Sequence, residues 1–269
     1  MKVTAVVSTK GGPGKTTVGV NLGAFCADAG IRTLLIDLDN QPSLSSFYAL
    51  SHEAPGGTYQ LIANNETRTD QVISRTCIPN LSLIHSNDPF NQLGNLLLHA
   101  ADGRLRLKNL LPAFEQDFDL ILIDTQGARS IVLEMALLGA HMAISPITPD
   151  MLTAREFQRG MLQLYRDLEP LAALGAVTPM LNVVINKLDA TNDANLIYHT
   201  LTETFADHPK DPDDPDHDPG GSEFSSGCHR RHSCAPPGVP PPDSPPFTHR
   251  LQSHQRPLNR AISRMALEI

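Results

Sequence analysis

The chain has 269 residues, enough for one α/β domain with a substantial core. Its net charge of −8 excludes a wholly basic nucleic-acid binder and leaves room for a local basic patch. The four cysteines (26, 77, 228 and 234) lack a disulfide-framework spacing, and neither a signal peptide nor an apolar run of about 18 residues is present, so a reducing cytoplasm is expected.

Residues 3–7 are apolar and read as a buried strand. Ser8-Thr9-Lys10-Gly11-Gly12-Pro13-Gly14-Lys15-Thr16-Thr17 follows, and residues 17–29 then show helical spacing, with Val18, Leu22 and Phe25 on one face. Strand, glycine loop, helix is the context a phosphate-binding loop requires. The glycines let the backbone turn tightly and bring N–H groups to phosphate oxygens. The helix N-terminus adds partial positive charge. Lys15 would reach the β- and γ-phosphates, and the Thr16 hydroxyl would sit on Mg²⁺.

Two features depart from the ordinary Walker A loop. Thr9 stands where its first glycine usually stands, and a second lysine, Lys10, follows. The stretch resembles the deviant Walker A motif, K-G-G-x-G-K-T-T, of the ParA/Soj/MinD family of ATPases. That resemblance implies an α/β fold with a mostly parallel sheet and helices on both faces. It implies ATP and Mg²⁺ as ligands, bound by Lys10, Gly11, Gly12, Pro13, Gly14, Lys15, Thr16 and Thr17. It also implies catalytic roles for Lys10 and Lys15, with Lys10 crossing a dimer interface to the partner's nucleotide. Pro13 replaces the commonest residue there, valine. Proline has no N–H to donate, so either that donor is dispensable or nucleotide binding is weakened.

Gly30 is a plausible C-cap, and residues 32–39 read as a second buried strand ending in acids. Near-continuous apolar strands separated by helices imply a parallel sheet covered on both faces. Ligands bind such sheets at the carboxyl ends of the strands, which places Asp37 and Asp39 near the phosphates. Asp37-Leu38-Asp39-Asn40-Gln41-Pro42 resembles the family's D-x-D-P-Q segment, with its order loosely changed. The resemblance makes Asp39 the residue that positions or activates the attacking water. It places Asp37 near the magnesium, through water. The alternative is a pair of solvated acids at a strand end.

Residues 43–80 give mixed signals, with a loop at Pro55-Gly56-Gly57 and a turn at Asn64-Asn65-Glu66. Residues 80–85 read as a strand, and 91–100 and 104–114 have helical spacing. Arg104, Arg106 and Lys108 are expected on a solvated face, with DNA contact as the alternative. Residues 119–127, Asp-Leu-Ile-Leu-Ile-Asp-Thr-Gln-Gly, end a buried strand in an acid as a Walker B strand does. Asp124 would hold Mg²⁺ through water, and Gly127 suits a switch loop sensing the γ-phosphate. The segment after Asp124 resembles that of ParA-like proteins carried by plasmids and integrative elements. Arg129 is either a partner-facing or phosphate-sensing cation or a plain surface arginine.

Residues 142–146 form a short strand, and 151–168 a long helix with Arg155, Arg159 and Arg166 roughly on one side. These arginines are part of a DNA-binding patch or a solvated face. Residues 180–186 are a strand followed by Lys187-Leu188-Asp189. Asn-Lys-x-Asp invites the guanine-reading motif of GTPases, but the lysine at position 10 belongs to a class dominated by ATP. Asn186 is therefore assigned to the base, ATP is preferred and GTP stays open.

A helix is expected over 193–205, after which the chain changes character. More than half of its 22 prolines lie from Pro209 to Pro257. Such a segment cannot form helix or buried strand and has too little apolar surface to offset ordering entropy. Residues 1–207 are read as the ATPase domain, C-terminally incomplete, and 208–269 as a disordered tail read out of frame relative to relatives. Cys228, His229, His232 and Cys234 lack zinc-ligand spacing.

The resemblance implies a cytoplasmic, nucleoid-associated ATPase for partition of a chromosome, plasmid or integrative element. It would form a homodimer on ATP, bind DNA nonspecifically and answer to a ParB-like activator, with no stable membrane association. Three other readings remain. A MinD-like membrane regulator would use the helical spacing of Leu258, Ile262, Met265 and Ile269. An iron–sulfur reductase would need a cysteine after Asp124, where none stands. An inactive remnant is the third.

Overall fold

The computed structural model describes residues 1–187; the helix expected over 193–205 and the proline-rich tail lie outside them. The chain runs β1 (Lys2–Val6), α1 (Lys15–Asp28), β2 (Thr33–Asp37), β3 (Leu50–His52), α2 (Thr58–Ala63), α3 (Thr69–Val72), β4 (Ser74–Thr76), β5 (Leu81–Ile84), α4 (Leu93–His99), α5 (Arg106–Leu110), β6 (Leu120–Asp124), α6 (Ile131–Gly139), β7 (Met142–Ile147), α7 (Met151–Phe157), α8 (Gln163–Leu168) and β8 (Met180–Ile185). The strands form one sheet in the order β3-β4-β5-β2-β6-β1-β7-β8. All pairs are parallel except β3–β4 and β4–β5. The expected mostly parallel α/β sheet is therefore what forms.

β2 and β6 are buried along their whole length, which is why they read as unbroken apolar runs rather than alternating ones. α1 buries Val18, Leu22 and Cys26. Gly23 lets it lie close to the sheet, since a Cβ there would come within 2.7 Å of Leu35 Cδ2. The helix ends at Gly30 in the left-handed region, with Ile31 N donating to Cys26 O and Gly30 N to Ala27 O. α6 is buried almost all round, so it is a core helix; Ser130 Oγ caps it by accepting from Leu133 N.

Three expectations change. The mixed segment 43–80 contributes an antiparallel edge, β3 and β4, of three residues each. Strands that short show no readable period, and a short polar edge resists pairing with other chains. The helix expected over 151–168 is interrupted by a π turn at Gln158–Leu162. The extra residue shifts the angular register, so Arg166 is not set beside Arg155 and Arg159 by the seven-residue spacing.

The third change concerns Arg104, Arg106 and Lys108: Arg104 and Lys108 are exposed as expected, Arg106 is largely covered, and all three are engaged within the chain. Arg104 Nε pairs with Glu134 Oε2 at 2.6 Å, and Glu134 is buried at 7% exposure. Arg106 grips Asp102 one turn earlier, and Lys108 Nζ donates to Gly175 O at 3.0 Å. The buried Glu134 explains the first pair, because an unpaired buried carboxylate is costly.

Candidate nucleotide site

Sheet register brings the chemistry to the carboxyl ends of the central strands. Val6 pairs with Asp124, and Asp37 pairs with Asp124 from the other side. The loop leaving β1 therefore emerges beside both acids, at the carboxyl ends of three adjacent strands. Gly12 and Gly14 have φ of 90° and 98°, and Gly14 is the N-cap of α1. Only glycine takes these values cheaply. A Cβ on Gly14 would also fall 2.2 Å from Asn186 Nδ2. Substitution there is blocked both by backbone strain and by contact.

Lys15, the first residue of α1, is buried at 7% exposure. Burial lowers its pKa, and the nearby Asp124 and Asp39 carboxylates oppose that shift. Thr16 Oγ1 donates to Asp124 Oδ2 at 2.7 Å. Asp37 is fully buried and accepts from Ser45 N at 2.8 Å, Ser45 Oγ at 2.6 Å and Asp39 N at 3.1 Å. It thereby anchors the loop after β2. Asp39 is half-buried, accepts from Gln41 N at 3.0 Å, and lines the same open cavity of about 590 Å³ as Gly12, Lys15, Thr16, Gly127 and Lys187.

The charged form of the two buried acids is costly despite these hydrogen bonds. Burial is the main cause that pushes Asp124 up to about 7 and Asp37 up to about 6, with repulsion from neighbouring carboxylates adding to it. Thr16, Asp124 and, one strand over, Asp37 thus fit a divalent cation. Among the described residues no group of three or more acidic, histidine or cysteine side chains could hold a metal alone. The few protein oxygens of Thr16, Asp124 and Asp37 suit Mg²⁺, which keeps waters and takes phosphate oxygens as ligands.

A raised carboxyl pKa means the folded state holds its proton more tightly than the unfolded chain. The native state is then favoured below the unfolded value and loses this contribution as pH rises to about 7 for Asp124. Asp124→Asn should therefore raise the melting temperature of the nucleotide-free protein at pH 8 by about 3 °C or more. The gain should shrink at pH 5. A melting curve of the variant that matches the wild type at pH 8 contradicts the burial account.

Two close glycine contacts and one hydrogen bond seat the loop. Gly127, just past β6, lies so close that a Cβ would be 2.7 Å from Gly11 Cα. Gly160, in the π turn, makes room for Thr9, whose Oγ1 would be 2.1 Å from a Cβ there. The threonine at the position of the usual glycine is thus accommodated by a glycine in another element. Pro13 O accepts from Asn186 Nδ2 at 2.9 Å. Asn186, expected toward the base, has its amide on the loop backbone.

Lys10 Nζ lies 2.5 Å from Glu156 Oε2 of α7, and both side chains are about 40% exposed. Sequence reasoning missed this acid, since nothing in the spacing of α7 singles it out. Arg129 pairs with Asp167 of α8 at 2.7 Å and with Glu134 at 3.5 Å. It is engaged inside the chain rather than free toward a phosphate. Arg155, Arg159 and Arg166 are exposed and, among the described residues, have no ion pair. Among those residues no helix is long and apolar enough to cross a membrane.

A family model described as an AAA domain matches residues 1–173. The chromosome-partitioning ATPase Soj of Treponema pallidum is 33% identical over 146 residues, covering 54% of this chain and 56% of that protein. A ParA family protein of Chlamydia pneumoniae is 31% identical over 190 residues, covering 68% and 73% respectively. The chain spans little more than half the length of Soj from T. pallidum and Bacillus subtilis, 56% and 58%. Among solved structures, apo McdA of Cyanothece superposes with a TM-score of 0.67 at 26% identity, over 77% of this chain and 82% of that one. An aspartate-to-alanine variant of Cyanothece McdA in complex with ATP gives 0.67 at 25% identity, over 77% and 80%. With a model matched over residues 1–173 and a second lysine in its phosphate loop, the chain belongs to the AAA-domain family, among the ParA/Soj/MinD-like ATPases of deviant Walker A type.

Proposed function

We propose that residues 1–207 bind Mg-ATP, dimerise on it, bind DNA nonspecifically and hydrolyse the nucleotide slowly, in partition of a chromosome, plasmid or integrative element. One observation carries this reading: a buried lysine and two buried, underneutralised acids meet at a left-handed glycine loop opening a helix. A structural βα turn has no use for that charge arrangement. The tail over 208–269 stays outside the proposed ATPase domain.

In this reading Lys15 and the loop N–H groups of Gly11, Gly12 and Gly14 hold the β- and γ-phosphates, with Thr17 beside them. Thr16 and Asp124, with Asp37 through water, would hold Mg²⁺, which when bound neutralises charge on the β- and γ-oxygens. Asp39 orients the attacking water in line with the γ-phosphate and draws on its proton. Gly127 transmits the presence of the γ-phosphate to the loop before α6 through its contact with Gly11. Positioning and charge neutralisation supply most of the catalysis. Asn186 keeps its amide nitrogen on Pro13 O and its amide oxygen on Lys187 N, so in this scheme it braces the loop beside the nucleotide.

Lys10 in this scheme leaves Glu156 for the partner's phosphates. The pair is half exposed, and such pairs contribute only about 0–1 kcal/mol, so the exchange costs little. Glu156→Gln should therefore bring dimerisation to lower ATP concentration, by about twofold to fivefold, as read by light scattering. A higher ATP requirement contradicts this role.

For DNA, the exposed Arg155 and Arg159 support a phosphate-contacting face, from which the π turn displaces the exposed Arg166. The test of the whole reading is DNA retention with and without ATP, together with phosphate release. Arg155→Glu with Arg159→Glu should weaken ATP-dependent DNA binding about tenfold or more and flatten its salt dependence. ATP-dependent retention equal to wild type in that variant places DNA elsewhere. A ParB-like activator and a nucleoid-associated cytoplasmic location complete the proposal.

A further inference from the structure

Lys187 is a third lysine at the loop. It follows β8 and Asn186, and its φ of 57° is left-handed, a conformation unfavourable for a residue with a Cβ. Its surroundings enforce that conformation. Asn186 N donates to Ile147 O at 2.7 Å, which pins Asn186 to the end of β7. Lys187 N donates to Asn186 Oδ1 at 2.9 Å. Asn186 Nδ2 then donates to Pro13 O at 2.9 Å, and Lys187 Nζ to Gly12 O at 3.0 Å. Two consecutive residues thus hold two consecutive carbonyls of the phosphate loop.

The two carbonyls differ in what their peptide units can give. In a trans peptide the C=O and the next N–H point in opposite directions. Asn186, by holding Pro13 O, turns the Gly14 N–H away from itself. The unit between Gly12 and Pro13 has no N–H at all. Here the clamp takes the carbonyl and the backbone returns no donor. The residue on that carbonyl is the one with an ammonium.

An ammonium has three N–H donors, and Gly12 O accounts for one. The Lys187 side chain is exposed and lines the cavity shared by Gly12, Gly14, Lys15 and Thr16. Its remaining donors are therefore available where phosphate oxygens would lie. We propose that Lys187 is a nucleotide-binding residue, supplying to a bound triphosphate the donor that Pro13 withholds. This rests on the nucleotide reading above and gives the proline substitution a local compensation.

A double-mutant cycle on the full chain tests it, with Mg-ATP affinity read by calorimetry. Lys187→Ala should weaken binding about tenfold, as loss of a charge-assisted bond does. Pro13→Ala restores an N–H at the loop. In that background Lys187→Ala should cost less than about twofold. Equal costs in the two backgrounds would make Lys187 a brace on Gly12 O only and overturn the inference. No cost in either background overturns it as well. Lys187→Met keeps the stem and carries the same comparison if the alanine variant does not fold. Absence of ATP binding by the unmodified chain would overturn the nucleotide reading itself, whereas binding with equal Lys187 costs overturns this inference alone.

Discussion

Lys15→Ala is expected to abolish measurable nucleotide binding. Lys15 is the buried cation of the site, placed by the first turn of α1 directly behind the left-handed Gly14. Its ammonium is the principal positive charge facing Asp124 and Asp39 and, in the proposed mechanism, the β- and γ-phosphates. Each charge-assisted bond is worth about 1.5–3 kcal/mol. Two lost phosphate bonds then amount to about a hundredfold in affinity or more. Removing the charge also takes the nearby cation from the buried Asp124 and the half-buried Asp39, while relieving the larger desolvation cost of the buried ammonium. Calorimetric titration with Mg-ATP decides the matter. An affinity within threefold of wild type would remove Lys15 from the site.

Asp39→Ala should have the opposite profile: ATP still binds, hydrolysis stops and the dimer persists. Asp39 lines the phosphate cavity but is not one of the two buried acids on the β2–β6 register. Its backbone is fixed independently, since Ser86 Oγ donates to Asp39 O at 2.6 Å and Asp39 N donates to Asp37 Oδ1 at 3.1 Å. Removing the side chain should thus leave the loop in place. Loss of general-base or water-positioning help costs typically 10²–10⁴-fold in turnover. Phosphate release should drop by at least about a hundredfold, with ATP affinity within a few-fold of wild type. Turnover at the wild-type rate would exclude Asp39 from the chemistry.

What could be read beforehand and what could not divide along chain separation. Strand β1, its loop and α1 form one contiguous stretch, and the residue types needed for a phosphate site lie within ten positions of each other. The same holds for Leu120–Asp124, whose all-buried pattern is an unbroken apolar run ending in an acid. Such signals are local and survive in the sequence. Lys10 with Glu156, Thr9 with Gly160, and Pro13 with Asn186 each join positions more than 140 residues apart. No period or motif encodes those meetings. The pairing of Arg104 and the covering of Arg106 were missed for a related reason. Helical spacing gives a face, but it does not tell which face meets a buried acid such as Glu134. The short antiparallel edge was illegible because three-residue strands carry no alternation.

The site residues make the same point. Lys15, Thr16, Asp37, Asp39 and Asp124 come together at the carboxyl ends of the central strands, as their positions in the chain suggested. Asn186 is brought to the loop too, but its amide is spent on Pro13 O. A side chain's proximity could be anticipated from the strand it follows, whereas its hydrogen-bond partner depends on an amide 173 residues away.

The central claim is that nucleotide joins two copies of this chain through the loop that holds Lys10. Size-exclusion chromatography with light scattering, on the full chain with Mg-ATP, Mg-GTP and no nucleotide, tests it most directly. The mass should double with Mg-ATP and remain that of one chain without nucleotide. Lys10→Ala should bind ATP yet stay monomeric. A chain that binds Mg-ATP and keeps the mass of one copy at all protein concentrations would contradict the account.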